Sequence, residues 1–409
     1  MTFEMDDDAQ GRLDGFFKRI GTHLPDVRQR ASFAMYALGL MGRSERKSVE
    51  PIAAEVCKDP KDCQRLQHSL LEFLRVGRWR DEPVRLEAAR YAIEAVAQHD
   101  EAVRCWIIDD TGFLKQGRES VGVQRQYTGS AGKRTNCQIG VSLCLASRGE
   151  QFPIDFELYL PESWINDPAR CAKVRVPEDR IFKTKIDLAL DMMDRATQAG
   201  VPGDVLLADC GYGESVEFRG AVRMLGFDYG LAVQSPTKVW LVNGSEQVVG
   251  PAIGVQQLGV QLGPQAFRRY SWREGTNGKK LWGRFCFRRV KVVANDGATL
   301  ERREVMWLMM EWPEGESKPT KFVLTTMPRR MSKKQIVRIV KERWKTERMY
   351  EELKGELGLD HYEGRSFPGW NHHVTTAICC YAFMVSERAR AFSPQTTGQR
   401  SAGSYASAA

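Results

Sequence analysis

The sequence predicts a mixed α/β chain in which a helical module of about one hundred residues leads into a sheet, and three observations carry that expectation. Apolar residues recur at three- and four-residue spacing up to residue 97, and from residue 103 the pattern changes to strand-like runs separated by Gly, Ser and Arg. Helical and strand patterns then alternate between residues 181 and 233, as in βαβ units. Beyond residue 234 that alternation gives way to short strand-like runs with Gly- and Asn-rich turns.

In chain order, helices are expected over 13–20, 27–40, 49–56, 62–74 and 84–97. Arg43, Arg46, Lys47, Arg75, Arg78 and Arg80 fall between them, where they can meet phosphates or simply solvate helix ends. Strands follow at 103–108, 136–146 and 152–160, which reads as an antiparallel start to a sheet. A helix at 181–198, a strand at 204–208, a helix at 216–224 and a strand at 228–233 make up the alternating part. Runs at 239–242, 282–293 and 305–311 form a β-rich insertion, after which come a strand at 321–325, one long charged helix at 332–355 and a packed helix at 377–389. The Ser/Ala/Gly/Thr-rich stretch 393–409 is expected to be a disordered tail.

A length of 409 residues suits two or three modules, and 42% hydrophobic residues can bury a core. With 60 Lys and Arg against 52 Asp and Glu, the net charge of +8 suits a polyanionic partner as well as it suits a mildly basic enzyme. The ten cysteines lack paired Cys-x-x-Cys spacing and fall mostly in apolar runs, so reduced core thiols are expected and structural zinc is not. The acidic start, Met1-Thr-Phe-Glu-Met-Asp-Asp-Asp, lacks the order of a signal peptide, and no apolar run approaches a membrane span. A cytoplasmic protein without a membrane partner is the expectation.

Candidate chemistry sits on acids. Trp106-Ile-Ile-Asp109-Asp110-Thr-Gly is an apolar strand expected to stop on two carboxylates. Asp204-Val-Leu-Leu-Ala-Asp209-Cys-Gly-Tyr-Gly repeats the arrangement, with a glycine turn before a helix. Taken singly, either Asp is accounted for by the preference of Asp for turns and N-caps. A third acid is on the long helix, where Arg343, Glu347, Tyr350, Glu351 and Lys354 follow at three- or four-residue steps and read as one face. Trp344, Met349 and Leu353 are expected to dock that helix on the sheet. Three such carboxylates are hard oxygen ligands suited to two Mg²⁺ or Mn²⁺ ions, the arrangement that cleaves phosphodiesters.

At these residues the sequence resembles the bacterial insertion-sequence transposases of the DDE superfamily, in the group with a β-strand insertion in a ribonuclease-H-like catalytic domain. The family pattern Tyr-x2-Arg-x3-Glu-x6-Lys maps onto Arg343, Glu347 and Lys354 at the right spacing, with Val340 departing at the Tyr position. Gly122-Val-Gln-Arg-Gln-Tyr127-Thr-Gly, Trp272-Arg-Glu-Gly and Glu356-Leu-Gly-Leu-Asp360-His-Tyr362-Glu resemble phrases of a subgroup. The resemblance implies catalytic and metal-ligating roles for Asp110, Asp209 and Glu347, two ions per site, with Asp109 as the fallback for Asp110. The acid directly preceding Thr is preferred, and a shift by one would turn the side chain to the other face of the strand.

The resemblance further implies a helical DNA-binding domain over 1–100 and a catalytic domain over 101–233 and 321–392, interrupted by the insertion at 234–320. It implies binding of double-stranded DNA at the element's terminal inverted repeats, a homodimer on paired ends, cleavage of each end and transfer of 3′-hydroxyls to target DNA in the nucleoid. Arg343 and Lys354 would flank the scissile phosphate, and the basic insertion, with Arg273, Lys279, Lys280 and Arg284, would add phosphate contacts. Trp272 or Trp282 would stack a flipped base, although Trp in a β module is more often core. Two competing readings stay open: a catalytically silent DNA-binding derivative, and a metal-dependent nuclease that cuts without joining.

Overall fold

A computed structural model of the chain describes residues 7–57, 59–97, 104–147, 149–275, 278–293 and 303–391, so the tail expected at 393–409 lies outside the described residues. Five helices open it: α1 (Asp7–Gly21), α2 (Val27–Met41), α3 (Val49–Val56), α4 (Pro60–Val76) and α5 (Asp81–Ala97). Local chemistry sets their starts: Asp26 accepts from the Gln29 amide at the head of α2, and Asp59 with Pro60 does the same work at α4.

The sheet begins with β1 (Cys105–Leu114), β2 (Gln124–Thr128), β3 (Lys133–Ala146) and β4 (Gln151–Tyr159). After the short helices α6 (Glu162–Ile165) and α7 (Pro168–Lys173) come α8 (Lys185–Gln198), β5 (Val205–Ala208), α9 (Cys210–Gly213), α10 (Val216–Met224) and β6 (Asp228–Val233). β4, β3 and β1 pair antiparallel, while β5 runs parallel to β1 and β6 parallel to β5. This is the expected ribonuclease-H-like mixed sheet, preceded by its helical region.

Residues 234–320 extend that same sheet. They contribute β7 (Lys238–Val242), β8 (Val248–Gly254), α11 (Val255–Leu262), β9 (Arg268–Glu274), β10 (Lys280–Val292) and β11 (Met306–Trp312), and are followed by β12 (Lys321–Thr325). β12 pairs antiparallel with β6, and β11, β10, β7 and β8 continue outward in that order with β9 on β10. The edge that β6 would otherwise offer to other chains is thereby covered.

The last elements depart from the sequence expectation in two ways. The charged helix expected as one piece is α12 (Lys333–Lys341) and α13 (Lys345–Gly355) joined by a single 3₁₀ turn, Glu342–Trp344. The final helix, α14 (Phe367–Ala391), starts ten residues before the expected 377. Its first turns hold polar residues that a hydropathy pattern reads as surface. Each is buried with a partner: His372 Nδ1 lies 2.8 Å from the Leu74 carbonyl, and His373 Nδ1 lies 2.8 Å from the Tyr36 hydroxyl.

Because α14 is buried nearly all round, it needs cover on every side. α5, α4, α2, β4 and α13 all pack against it. The opening helices, read from sequence as a module of their own, therefore share one core with the sheet. Among the described residues no helix is long and apolar enough to cross a membrane.

Candidate active site

β1 does not stop at its two acids. It pairs with β3 without a break from Cys105↔Ala146 to Leu114↔Cys137, so Asp109 and Asp110 lie mid-strand. What ends is the neighbour: the parallel pairing of β1 with β5 stops at Ile108↔Ala208. The sheet forks there, and Asp209 follows directly in line with Asp109. The carboxylate of Asp209 caps the short α9, accepting from the Gly211 amide at 2.9 Å. The glycine turn behind it is sterically required, since a Cβ on Gly213 would run into the Ala232 carbonyl of β6.

Consecutive side chains of a strand point to opposite faces, and this separates the two acids of β1. Asp109 lies on the face covered by α13: its carboxylate sits 3.3 Å from Arg343, and its cross-strand partner Ser142 lies 2.5 Å from the Tyr350 hydroxyl. Asp110 turns to the other face, where Lys185 at the head of α8 donates to it at 2.8 Å. The acid on the face of the glutamate helix is thus Asp109, the fallback ligand of the sequence reading, and the preferred Asp110 lies on the other face. No sequence pattern marks Lys185 as the partner of Asp110, because the two are 75 positions apart.

The residues expected to share one helical face with Glu347 divide among separate tasks. Tyr350 is buried against the sheet; burial, then the nearby Asp109 charge, holds its hydroxyl well above the usual range. Lys354 spends its donors on the protein, at 2.8 Å to Thr111 Oγ1, 2.9 Å to the Gly112 carbonyl and 3.2 Å to Ser130 Oγ. Burial lowers its pKa. Glu347 is exposed and has no hydrogen bond or ion pair among the described residues. Arg343 belongs to the 3₁₀ turn, which takes it off the regular face of α13 while its guanidinium reaches Asp109.

Met349 and Leu353 form the expected buried contact, whereas Trp344 is half-buried beneath the Arg273 guanidinium of β9, 3.4 Å from the ring centre. That stack engages one of the cations expected on DNA. Lys341 of α12 pairs with both oxygens of Glu311 and lies 4.7 Å over Trp272, so Trp272 is packed between β9 and α12. Trp282 differs: it is 49% exposed, beside a bulge in the β9–β10 pairing, with Arg269 5.5 Å from its ring centre. Lys280 is exposed near it, Lys279 likewise, and Arg284 donates to the Pro313 carbonyl at 3.3 Å.

Asp209, Asp110 and Asp109 form a field of like charge. Burial pushes the Asp109 carboxyl up to about 7; the Arg343 guanidinium opposes this, and the Asp209 and Asp110 charges add to it. Among the described residues, however, no three acid, His or Cys side chains already converge on one point where an ion could sit. The two aspartates flank the fork, and Glu347 stands outside it.

A stability effect follows from the raised carboxyl. With an ordinary value of 3.8 and about 7 in the folded chain, Asp109 is better tolerated protonated, so its own contribution to stability is most favourable below pH 4 and declines as pH rises to 7. In metal-free buffer, Asp109→Asn is expected to stabilise the protein at pH 8 by roughly 1–4 kcal/mol, with the gain shrinking towards pH 4. Chemical denaturation at both pH values checks this; a gain independent of pH would contradict the burial of this charge.

Residues 19–279 match the family model described as DDE superfamily endonuclease, and residues 183–383 match that of the transposase DDE domain. A curated relative from Microchaete diplosiphon, a probable transposase for insertion sequence element IS701, is 28% identical over 212 residues. That match takes in 52% of this chain and 50% of the relative, so the chain spans about half the length of the curated relative it matches. A cryo-EM structure of the piggyBac transposase synaptic complex with hairpin DNA aligns over 96% of this chain and 80% of its own at 11% identity and a TM-score of 0.39, too distant to bear on the site.

Proposed function

Because this chain belongs to the DDE superfamily of endonucleases and transposases, we propose that it cuts double-stranded DNA at the ends of its own insertion element and joins the 3′-hydroxyls to target DNA. The observation that carries this reading is the fork between β1 and β5. Asp109 and Asp209 stand side by side there, beneath a helix that offers Glu347 unengaged.

The donor set fits hard divalent cations. Carboxylate oxygens are the ligands Mg²⁺ and Mn²⁺ take, and a buried acid crowded by two like charges is relieved by a cation. Asp109 and Asp209 would hold the ions, and Glu347 would complete the set by swinging inward from α13. Bound there, two such ions supply an activated oxygen nucleophile and neutralise the leaving oxygen.

The chain's own groups do the rest. Arg343, already beside Asp109, is placed to take a non-bridging oxygen of the scissile phosphate, since a guanidinium binds phosphate through paired donors. Lys354 acts as a positioning residue by tying α13 to β1 at Thr111 and Gly112. Trp282, the exposed aromatic of the insertion, is the one available to stack an extruded base. Assembly on two paired ends as a dimer completes the reading.

The test uses purified full-length chain with a plasmid carrying the element ends, and then a pre-cut end with a target plasmid, both with Mg²⁺. Cleavage and joining support the transposase reading; cleavage without joining would reduce it to a nuclease, and neither would overturn it. Metal binding should also release a proton from Asp109. Mg²⁺ affinity, followed by titration calorimetry in two buffers, is expected to rise about tenfold per pH unit below 7 and to level off above it. A flat profile would remove Asp109 from the site.

A further inference from the structure

Beyond the fork, the protein carries a second charged feature that takes no part in the proposed reaction. The hairpin of β2 and β3 projects at one end of the sheet order, past the point where β1 ends at Leu114. With the segment 116–118 and α7 it encloses an open groove of about 690 Å³. Five cations line it: Arg118, Arg125, Lys133, Arg134 and Arg170. No acid does, and the nearby Glu119 is already held by Lys173 at 2.7 Å.

These cations differ in setting from the ion-paired arginines of the helix and sheet joints. Arg85, Arg195, Arg388 and Arg12 are engaged by carboxylates, whereas Arg118, Arg125, Lys133 and Arg134 are exposed and in no ion pair among the described residues. Arg170 lies over Trp164, 3.6 Å from its ring centre, and donates to the Arg118 carbonyl at 2.8 Å, which fixes that wall of the groove. Tyr127, 63% exposed, stands across the hairpin from Arg134. Concentrating unpaired charge of one sign on a concave surface is unfavourable for the isolated chain, and the cost is recovered by a polyanion.

We infer that this groove is a second clamp for the backbone of B-form duplex DNA, set back from the scissile bond by about half a helical turn. The inference rests on the active-site reading for the identity of the polyanion, and the distance comes from the fold. β1 runs from Asp109 towards the groove, and the six residues to Lys115, whose amide pairs with Asn136, span roughly 20 Å at the rise of a strand. At 3.4 Å per base pair that is about six base pairs. A duplex whose phosphate lies at the fork can therefore lay its backbone in the groove without bending.

The test compares the full-length chain with a variant carrying Arg118→Ala, Arg125→Ala, Lys133→Ala and Arg134→Ala, all exposed positions distant from the fork. Binding of a 24-base-pair duplex in EDTA is measured against salt concentration, and Mg²⁺-dependent plasmid cleavage is read on the same samples. The variant is expected to lower the slope of log affinity against log salt by about 3–4, near 0.9 for each lost phosphate contact, and to weaken binding at least about tenfold at 0.15 M salt.

A variant with the wild-type slope would overturn the clamp while leaving the active-site reading intact. A variant that keeps duplex DNA but loses A-form RNA or polyglutamate would overturn it in favour of that other partner. If the wild-type chain shows the salt slope and the variant loses it while neither cleaves with Mg²⁺, the clamp stands and the active-site reading fails.

Discussion

Asp209→Asn, Glu347→Gln and Asp109→Asn are each expected to lower Mg²⁺-dependent cleavage by about a thousandfold or more while leaving duplex binding within a few-fold of wild type. The size follows from the chemistry: ligand carboxylates sustain several kcal/mol of transition-state charge stabilisation, and about 4 kcal/mol is three orders of magnitude in rate. Asp110→Asn is the informative contrast. It removes only a partly exposed ion pair with Lys185, an interaction of roughly 0–1 kcal/mol, so cleavage should stay within about tenfold. Rates from single-turnover assays on element-end DNA decide between the two neighbours. Loss of cleavage in Asp110→Asn with retention in Asp109→Asn would reverse our assignment, and full cleavage by the Asp209 or Glu347 variant would remove the proposed site.

The second large effect is on stability, at the joint between the opening helices and the sheet. Arg85 of α5 is buried, bonded to Asp81, to Asp155 of β4 at 3.0 Å and to Thr375 of α14 at 2.9 Å. Arg195 of α8 holds the other oxygen of Asp155 at 2.6 Å and reaches Glu157 at 2.9 Å. Deleting one partner leaves buried charge uncompensated, so Arg85→Ala is expected to destabilise by about 3–5 kcal/mol, a large share of a typical folding free energy. The exposed Lys173–Glu119 pair is the control, and Lys173→Ala should cost less than about 1 kcal/mol. Chemical denaturation measures both; equal, small effects would show that the buried network is not what joins α5 to the sheet.

How much of this was legible beforehand depends on how local the cause is. The strand at 204–208 and its terminal Asp209 were readable because an apolar run, an N-cap acid and a glycine turn are neighbours in sequence. The spacing of Arg343, Glu347 and Lys354 was readable too, and the structure puts Glu347 and Lys354 on α13. Their contacts were not: Lys354 meets Thr111 across 243 positions, and the 3₁₀ turn that re-aims Arg343 leaves no mark in the periodicity. The polar first half of α14 was missed for a similar reason, since His372, His373 and Thr375 look like surface until distant carbonyls, a tyrosine and an arginine are brought to them.

The sequence by itself determined the succession of helical and strand periods, the acids to which we assign the proposed chemistry and the family they indicate. Whether Asp109 or Asp110 faces the glutamate helix was decided only by the tertiary structure. Alternation along a strand dictates that the two acids point to opposite faces, but it is symmetric between them. The docking of α13 on one face, through Tyr350 against Ser142 and Lys354 against Thr111, and of Lys185 on the other, breaks that symmetry.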